Sequence, residues 1–354
     1  MEKVFVGKHI IRMAEVSDIP FIMDFLDLYW EKGCLLSRDR AYFEYEFVVD
    51  GRVNFVVAEH KDAGTIDAVA GLIQCSRNKP PDAFGVMWVC KPKNGTKFLG
   101  LALGDNIINV SGIRAFTGVG LIADTAARTA KDFYSTEIIK LDHYYRLAHR
   151  NEFFIAEVAT LRRPTGVISS KKLIPIPTMQ HLRSWFDFSV LPDVPIYKDA
   201  WYIEHRYFNH PYYNFNIWGI EESPGNITGL LVGRIVRYNS SACLRIVDFF
   251  GSDSALDGIG GELDLIMNTS EIEYIDFYCT GVPRENILNA GFVLRDDEDK
   301  NIIPNHFEPY EKKNINILCP RHEVRVFKGD GDQGRPKRLR LPLEWHEKTY
   351  KTYE

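Results

Sequence analysis

Phe84-Gly85-Val86-Met87-Trp88-Val89, followed by Cys90-Lys91-Pro92-Lys93-Asn94-Gly95-Thr96-Lys97, is the stretch that decides the fold of this chain. The first part is an apolar strand, and the second, with its Pro, Asn and Gly, is a polar loop. Phe98 to Ile108 then carries apolar residues at helical spacing. Ile113 to Ile122 reads as a second strand, Asp124 to Tyr134 as a short polar helix, and Ile138 to Leu147 as a further strand. Upstream, Ile10 to Val16 is a plausible first strand. Ser17 and Asp18 offer N-cap chemistry to a helix over Ile19 to Trp30, with Pro20 in its first turn. Arg38 to Phe47 reads as a second helix. Val53 to Glu59 and Ile66 to Cys75 read as strands paired around Lys61-Asp62-Ala63-Gly64.

The same grammar returns later. Val158 to Ser170 is polar and contains Pro164 and Gly166, and Lys171-Lys172, Pro175 and Pro177 complete a linker. Beyond it come helices over Met179 to Phe188 and Trp201 to Phe208, then strands over Phe215 to Glu221, Ile227 to Tyr238 and Leu244 to Phe250. A helix over Ala255 to Met267, a strand over Tyr274 to Cys279 and a helix over Arg284 to Ala290 follow. Phe84 to Tyr134 spans 50 positions and Leu244 to Phe292 spans 48, which points to a duplication. The expected fold is α+β, with two tandem domains over 1–160 and 178–354 and a linker over 161–177. Each domain is expected to be a twisted mixed β-sheet flanked by helices.

Composition narrows the function classes. The chain has 354 residues, 45% hydrophobic and 26% charged, as expected of a soluble globular protein of two domains. A net charge of −5 gives no global attraction to nucleic acid or to an anionic membrane. No window approaches the roughly 20 apolar residues of a membrane span. Met1-Glu2-Lys3-Val4 lacks the start of a signal peptide, so a cytoplasmic location is expected. Six scattered cysteines without a CxxC pair read as reduced core thiols. No metal site is expected, because His205 and His210 lack a spaced carboxylate to complete a set. The basic tail Arg335-Pro336-Lys337-Arg338-Leu339-Arg340 reads as a solvated patch.

Strand, loop, helix, strand, helix, strand in this order resembles the cofactor cleft of the GNAT superfamily of acyl-CoA acyltransferases, and the resemblance covers the first half of the chain. It implies that the pyrophosphate of acetyl-CoA lies on backbone N–H groups between strand and helix. The residues implied are Trp88, Val89, Cys90, Asn94, Gly95, Thr96, Lys97, Phe98, Leu99 and Gly100. Gly95 and Gly100 are present, and Lys91, Lys93 and Lys97 add charge, but the glycine spacing departs from the superfamily's Arg/Gln-x-x-Gly-x-Gly/Ala. The same stretch also reads as a polar loop with solvated lysines. In the second half, Asp253 and Asp257 stand where phosphates would go, and Gly258, Gly260 and Gly261 read as lying inside a helix. That half is expected to have lost CoA. Tyr134, in Asp132-Phe133-Tyr134-Ser135-Thr136-Glu137-Ile138, resembles the superfamily tyrosine that protonates the departing thiolate, although Glu137-Ile138 replaces the usual Gly-Phe.

Two stretches offer acceptor chemistry: Asp142-His143-Tyr144-Tyr145-Arg146 and Asn301-Ile302-Ile303-Pro304-Asn305-His306-Phe307-Glu308-Pro309-Tyr310. Together they resemble two-domain GNAT-type proteins of surface-polysaccharide synthesis. The resemblance implies a bacterial cytoplasmic enzyme that acetylates a nucleotide-linked amino sugar for O-antigen or capsule. His143, His306 or Glu308 would act as base, and backbone N–H groups near Trp88 to Cys90 would hold the oxyanion. Tyr144, Tyr145, Arg146, Trp201, His205, Asn305 and Phe307 would bind the acceptor. His143 also reads as a structural histidine, and the aromatics from Trp201 to Tyr213 as core. Two other readings stay open. One is a transferase in the style of the Fem peptidoglycan enzymes that uses aminoacyl-tRNA. The other is a non-catalytic nucleotide-sugar or glycan-binding protein. No nucleic acid and no membrane insertion are expected, and a homodimer stays open.

Overall fold

The computed structural model describes residues 2–121, 136–321, 324–331 and 336. Among these, contacts divide the chain into two compact units. The first gathers residues up to Val119 together with Val194–Tyr202, and the second gathers Gly120–Asp193 and Ile203–Asp330.

The first unit is built on one sheet. Its strands are β1 (Val4–Val6), β2 (His9–Met13), β3 (Phe55–His60), β4 (Ile66–Gln74), β5 (Ala83–Cys90) and β6 (Phe116–Thr117), side by side in that order. All neighbours are antiparallel except β5 and β6, which are parallel. Helix α1 (Ile19–Tyr29) starts with Pro20 in its first turn and buries Ile19, Ile22, Phe25 and Leu26 at helical spacing. A short helix α2 (Leu35–Arg38) leads into α3 (Arg40–Phe47), whose first turn is capped by Asp39 accepting from the Tyr42 amide. On one sheet face Ile11, Met13, Val56, Ala58, Ala68, Ala70 and Leu72 form a core with Leu99, Leu103, Ile107 and Val110.

Two expectations change here. The helix expected over Phe98 to Ile108 is two, α4 (Leu99–Asp105) and α5 (Ile107–Ser111). Asn106 separates them, and its side-chain amide donates to the Ala102 carbonyl, so the side chain competes with the backbone ladder at the break. The strand expected over Ile113 to Ile122 shortens to Phe116–Thr117. Before it the Arg114 guanidinium turns onto Asp82, at 2.8 and 2.6 Å.

The second unit holds a larger sheet. Its strands, in chain order, are β7 (Asp142–Leu147), β8 (Lys172–Pro175), β9 (Asn216–Ser223), β10 (Asn226–Tyr238), β11 (Ser241–Gly251), β12 (Ile272–Thr280), β13 (Val293–Leu294) and β14 (Val326–Phe327). They lie in the order β8-β9-β10-β11-β12-β7-β13, with β14 paired to the end of β12. Its helices are α6 (Met179–Trp185), capped by Thr178, α7 (Gly260–Thr269) and α8 (Arg284–Asn289). A helical stretch over Ala200–Ile203 runs into a π turn over Glu204–Phe208.

The order of β3-β4-β5-β6 repeats in β9-β10-β11-β12, down to the switch from antiparallel to parallel pairing at the last step. Each copy also carries a register shift in its third strand, opposite Val69/Gly71 in the first and Val232/Gly233 in the second.

β7 overturns a sequence expectation. The strand expected over Ile138 to Leu147 would close the first domain, yet its Asp142–Leu147 part pairs antiparallel with β12 on one side and β13 on the other. Every residue from His143 to Leu147 is buried, so the strand needs cover on both faces and a partner on both edges, which only an interior position gives. Nor is the linker a spacer. Ser170 and Lys171 donate to the Gly258 carbonyl at 2.9 and 3.0 Å, and Gly260 donates to Ile168 at 3.1 Å. Gly258, with φ +91°, precedes α7 instead of lying inside it.

Candidate functional site

In the first unit the strand–loop–helix segment departs from a regular ladder at one place. Among the described residues β5 pairs with β6 at Ala83 and Phe84 alone. Past Phe84 the two part, and Met87 takes a left-handed backbone at φ +49° within the bulged stretch of β5. Trp88 is exposed and its indole N–H donates to the Gly100 carbonyl at 3.0 Å, joining the end of β5 to α4. Val89 and Cys90 are half-buried, and the exposed Phe98 turns the chain into α4 with φ +59°. Leu99, by contrast, is a core residue.

Side chains hold the loop between. The Asn94 side chain donates to the Lys91 carbonyl at 2.9 Å and accepts from the Thr96 amide at 2.9 Å. Gly95 sits at φ +81°, which a glycine adopts without strain. The Thr96 hydroxyl meets His9 Nδ1 at 2.9 Å, His9 Nε2 meets Asp67 at 3.0 Å, and Lys91 Nζ meets the other Asp67 oxygen at 3.1 Å. Burial pushes the Asp67 carboxyl up, but the His9 and Lys91 hydrogen bonds outweigh it and hold it below the usual carboxylate range. The sequence reading named Asn94, Thr96 and Lys91 but missed His9 and Asp67. The available signal was an acidic residue inside the apolar run Ile66 to Gln74.

The corresponding place in the second unit is filled by the chain itself. β11 and β12 run parallel from Ala242/Ile272 to Ile246/Phe277. Beyond that, β14 pairs with Cys279 and Thr280, and Gly329 lies against Val247 so closely that a Cβ would come within 2.6 Å of its carbonyl oxygen. The start of α7 is covered by Val167 to Lys171, where a Cβ on Gly260 would lie 2.2 Å from Val167. Asp253 binds Arg325 at 2.6 Å, and Asp257 accepts from Asn286 and Asn289 at 3.1 and 3.3 Å. These carboxylates brace loops.

Several acceptor candidates are taken up by the fold. The Arg146 guanidinium is buried, donates to the carbonyls of Ala290, Gly291 and Gly260, and pairs with Asp264 at 2.7 Å. Tyr144 lies in the helix-side core. The Tyr145 hydroxyl donates to Asp299 at 2.6 Å and accepts from Asn301 at 2.9 Å. These three side chains tie β7 to its neighbours, which corrects their expected place on a ligand. Trp201 belongs to the first unit, where the Arg77 guanidinium lies 4.7 Å from its ring centroid, and His205 lies in the second unit's π turn. Tyr134 and the basic tail, apart from Pro336, lie outside the described residues.

His143, Asn305, His306, Phe307 and Glu308 all fall in the second unit. The register of its sheet shows how they come together. Val236, Cys243, Tyr274 and Leu147 form one cross-strand row, an apolar core shared with Ile155, Ala156 and Ile303. The next row on the same face is Arg234, Arg245, Asp276 and Tyr145, and the row after that pairs Tyr278 with His143. Opposite His143 is Arg295, whose amide donates to the His143 carbonyl at 2.8 Å. Apolar cover therefore gives way to charge within two residues. Arg245 and Asp276 approach to 3.5 Å, and the Phe307 ring lies 5.8 Å from the Arg245 guanidinium. The His143 ring stacks on Tyr278 at 3.8 Å, and Lys328 Nζ lies 5.4 Å from the same tyrosine ring while donating to the Asn305 carbonyl at 2.6 Å. Both His143 ring nitrogens are buried without a hydrogen-bond partner. Burial, then the charges of Arg295, Lys328 and Arg245, hold the His143 pKa well below its ordinary value. At the rim, the Tyr213 hydroxyl donates to Glu308 at 2.8 Å and His306 Nδ1 donates to the Pro309 carbonyl at 2.8 Å. The sequence reading missed Arg245, Asp276, Arg295 and Lys328. A charge in the middle of each of two apolar strands, Leu244-Arg245-Ile246 and Ile275-Asp276-Phe277, was the available signal.

Among the described residues no helix is long and apolar enough to cross a membrane, and no group of three His, Cys, Asp or Glu side chains is placed to hold a metal.

No protein-family model matches the sequence, and no curated protein matches it. Solved structures do. A conserved Enterococcus faecalis protein of unknown function, described as a probable N-acyltransferase, is 9% identical. That match covers 90% of this chain and 72% of the other with a TM-score of 0.53. A GCN5-related N-acetyltransferase from Anabaena variabilis is 12% identical over 87% of this chain and 71% of its own, with a TM-score of 0.45. Saccharomyces cerevisiae N-myristoyltransferase with bound myristoyl-CoA is 9% identical over 91% and 85%, with a TM-score of 0.44. The chain thus shares its fold with the Enterococcus protein, an α+β architecture of two mixed sheets flanked by helices.

Proposed function

We propose that this chain is an acyl-CoA-dependent N-acyltransferase whose first unit holds the acyl donor. We take acetyl-CoA as the donor and the amino group of a nucleotide-linked amino-deoxysugar as the acceptor. The proposed setting is bacterial cytoplasmic synthesis of O-antigen or capsule precursors. One observation carries the donor site: β5 leaves β6 after Phe84, with a bulge and a left-handed Met87 in the parted stretch. An edge strand points alternate N–H and C=O groups outward, and an extended amide-bearing arm can pair with them. The filled equivalent in the second unit supports a single donor site.

The chemistry divides among named groups. The acceptor ammonium loses a proton to a base, and the free amine attacks the thioester carbonyl. The resulting oxyanion is held by outward N–H groups near Trp88 to Cys90. The C–S bond breaks, Tyr134 gives its proton to the thiolate, and the second proton lost from the amine nitrogen restores the Tyr134 phenol. Of the three proposed bases, His143 is weakened by burial and then by the cations around it. His306 donates through Nδ1 to the Pro309 carbonyl, which fixes the orientation of its ring. Glu308 is held by Tyr213 and would act through a water.

Calorimetric titration with acetyl-CoA and with CoA tests the donor site. Saturable micromolar binding is expected, and an absence of heat at several temperatures would overturn it. Screening nucleotide-linked amino sugars for thiol release then tests the acceptor. Tyr134→Phe is expected to lower turnover by roughly 10²–10⁴-fold, and unchanged turnover would remove Tyr134 from the mechanism.

A further inference from the structure

We infer that the second unit contains a binding site for a phosphate-bearing ligand, formed by Arg245, Arg295 and Lys328 around the His143 ring. Three observations meet there. The charges that reach His143 are all cationic, although its own row and the next contain only one carboxylate, Asp276, already engaged with Arg245. His143 and Asn305 are 6% and 1% exposed, yet neither side chain makes a hydrogen bond of normal geometry. Arg295 buries an Nε in the same condition. A buried polar group without a partner costs about 1–3 kcal/mol, and several at one spot call for a ligand that satisfies them together.

The chemistry selects phosphate. Two guanidinium groups supply charge-assisted N–H donors to its oxygens, and the Lys328 amine and the neutral His143 imidazole beside them supply further donors. Phe307 on the Arg245 side offers a flat apolar face for whatever the phosphate carries. As the acceptor's anchor, holding the diphosphate of a nucleotide-linked sugar, this site rests on the acyltransferase reading; as an anion site it does not. Anion binding would also restore protons that burial and neighbouring charge now disfavour on His143 and Lys328, so binding is coupled to proton uptake.

The test is calorimetry on the full chain with inorganic pyrophosphate, in the presence of saturating CoA and in its absence. Saturable binding that weakens tenfold or more in Arg295→Gln and in Lys328→Met, with CoA affinity unchanged, is the expected result. Running the wild type in two buffers of different ionisation enthalpy reads proton uptake without any variant, which matters because Lys328 is buried. No saturable binding, or wild-type affinity in folded variants, would each overturn the site. A nucleoside diphosphate bound more tightly than pyrophosphate, through the same residues, assigns the site to a nucleotide-linked ligand; equal affinity assigns it to a small phosphate ester. Pyrophosphate binding without CoA binding would sink the donor reading alone.

Discussion

His143 is the residue at which environment most changes ordinary chemistry. The folded chain keeps its ring neutral among Arg245, Arg295, Lys328, Tyr278 and Asn305, while the unfolded chain protonates it near pH 6.5. The depressed folded pKa sets the sign. Stability from the neutral ring is fully present above about pH 6.5 and is lost as pH falls below it, by about 1.4 kcal/mol per unit. Urea unfolding at pH 7.5, 6.5 and 5.5 should show this slope in the wild type and a slope smaller by one proton in His143→Phe. In the first unit, Asp67→Asn removes the acceptor shared by His9 and Lys91 and is expected to cost about 1–3 kcal/mol. It should also weaken CoA binding, because Thr96 loses its positioned histidine; an unchanged affinity would dissociate this brace from the donor loop.

At the scale of elements, the turn after α8 shows how tightly one side chain can specify backbone. Gly291 has φ +89°, and a Cβ there would overlap the Arg146 guanidinium that joins β7 to the ends of α7 and α8. Gly291→Ala is therefore expected to cost about 3 kcal/mol or more through strain and displacement of a buried charge, read as a fall in melting temperature. Much at this scale was legible. Periodicity located α1, α3, β4 and the strands from β9 to β12, because each alternates or repeats against one apolar surface. Asp18 does stand before α1, but its carboxylate takes Arg12 and the Glu15 amide instead of capping that helix. What periodicity cannot supply is the partner. Asp142–Leu147 reads correctly as a strand, but nothing within six residues says which sheet takes it. The candidate phosphate site is hidden for the same reason, since its charges come from β11, from the residue after β13 and from the segment after β14, and meet only through register. His143 and Asn305 were visible as unusual residues; Arg245 and Lys328 gain meaning only from what faces them.

At the scale of the molecule, the boundary between units differs from the one that composition suggests, and this can be tested directly. A fragment over 161–354 lacks β7, so β12 and β13 lose their shared neighbour and Tyr274 its cross-strand Leu147. It is expected to aggregate or to melt without cooperativity, whereas a fragment over 136–354 should unfold as a cooperative unit; equal behaviour would show that β7 is dispensable. The interior position of β7 also bears on how the chain is made. Leu147 pairs with Tyr274, 127 residues downstream, so a ribosome adding about 5–20 residues per second leaves β7 waiting on the order of ten seconds for its neighbour. During that interval a strand that the fold buries on both faces emerges unpaired from the exit tunnel. The nascent chain should then engage holdase chaperones from residue 147 until β12 is complete, making the rate of translation through this segment a determinant of yield.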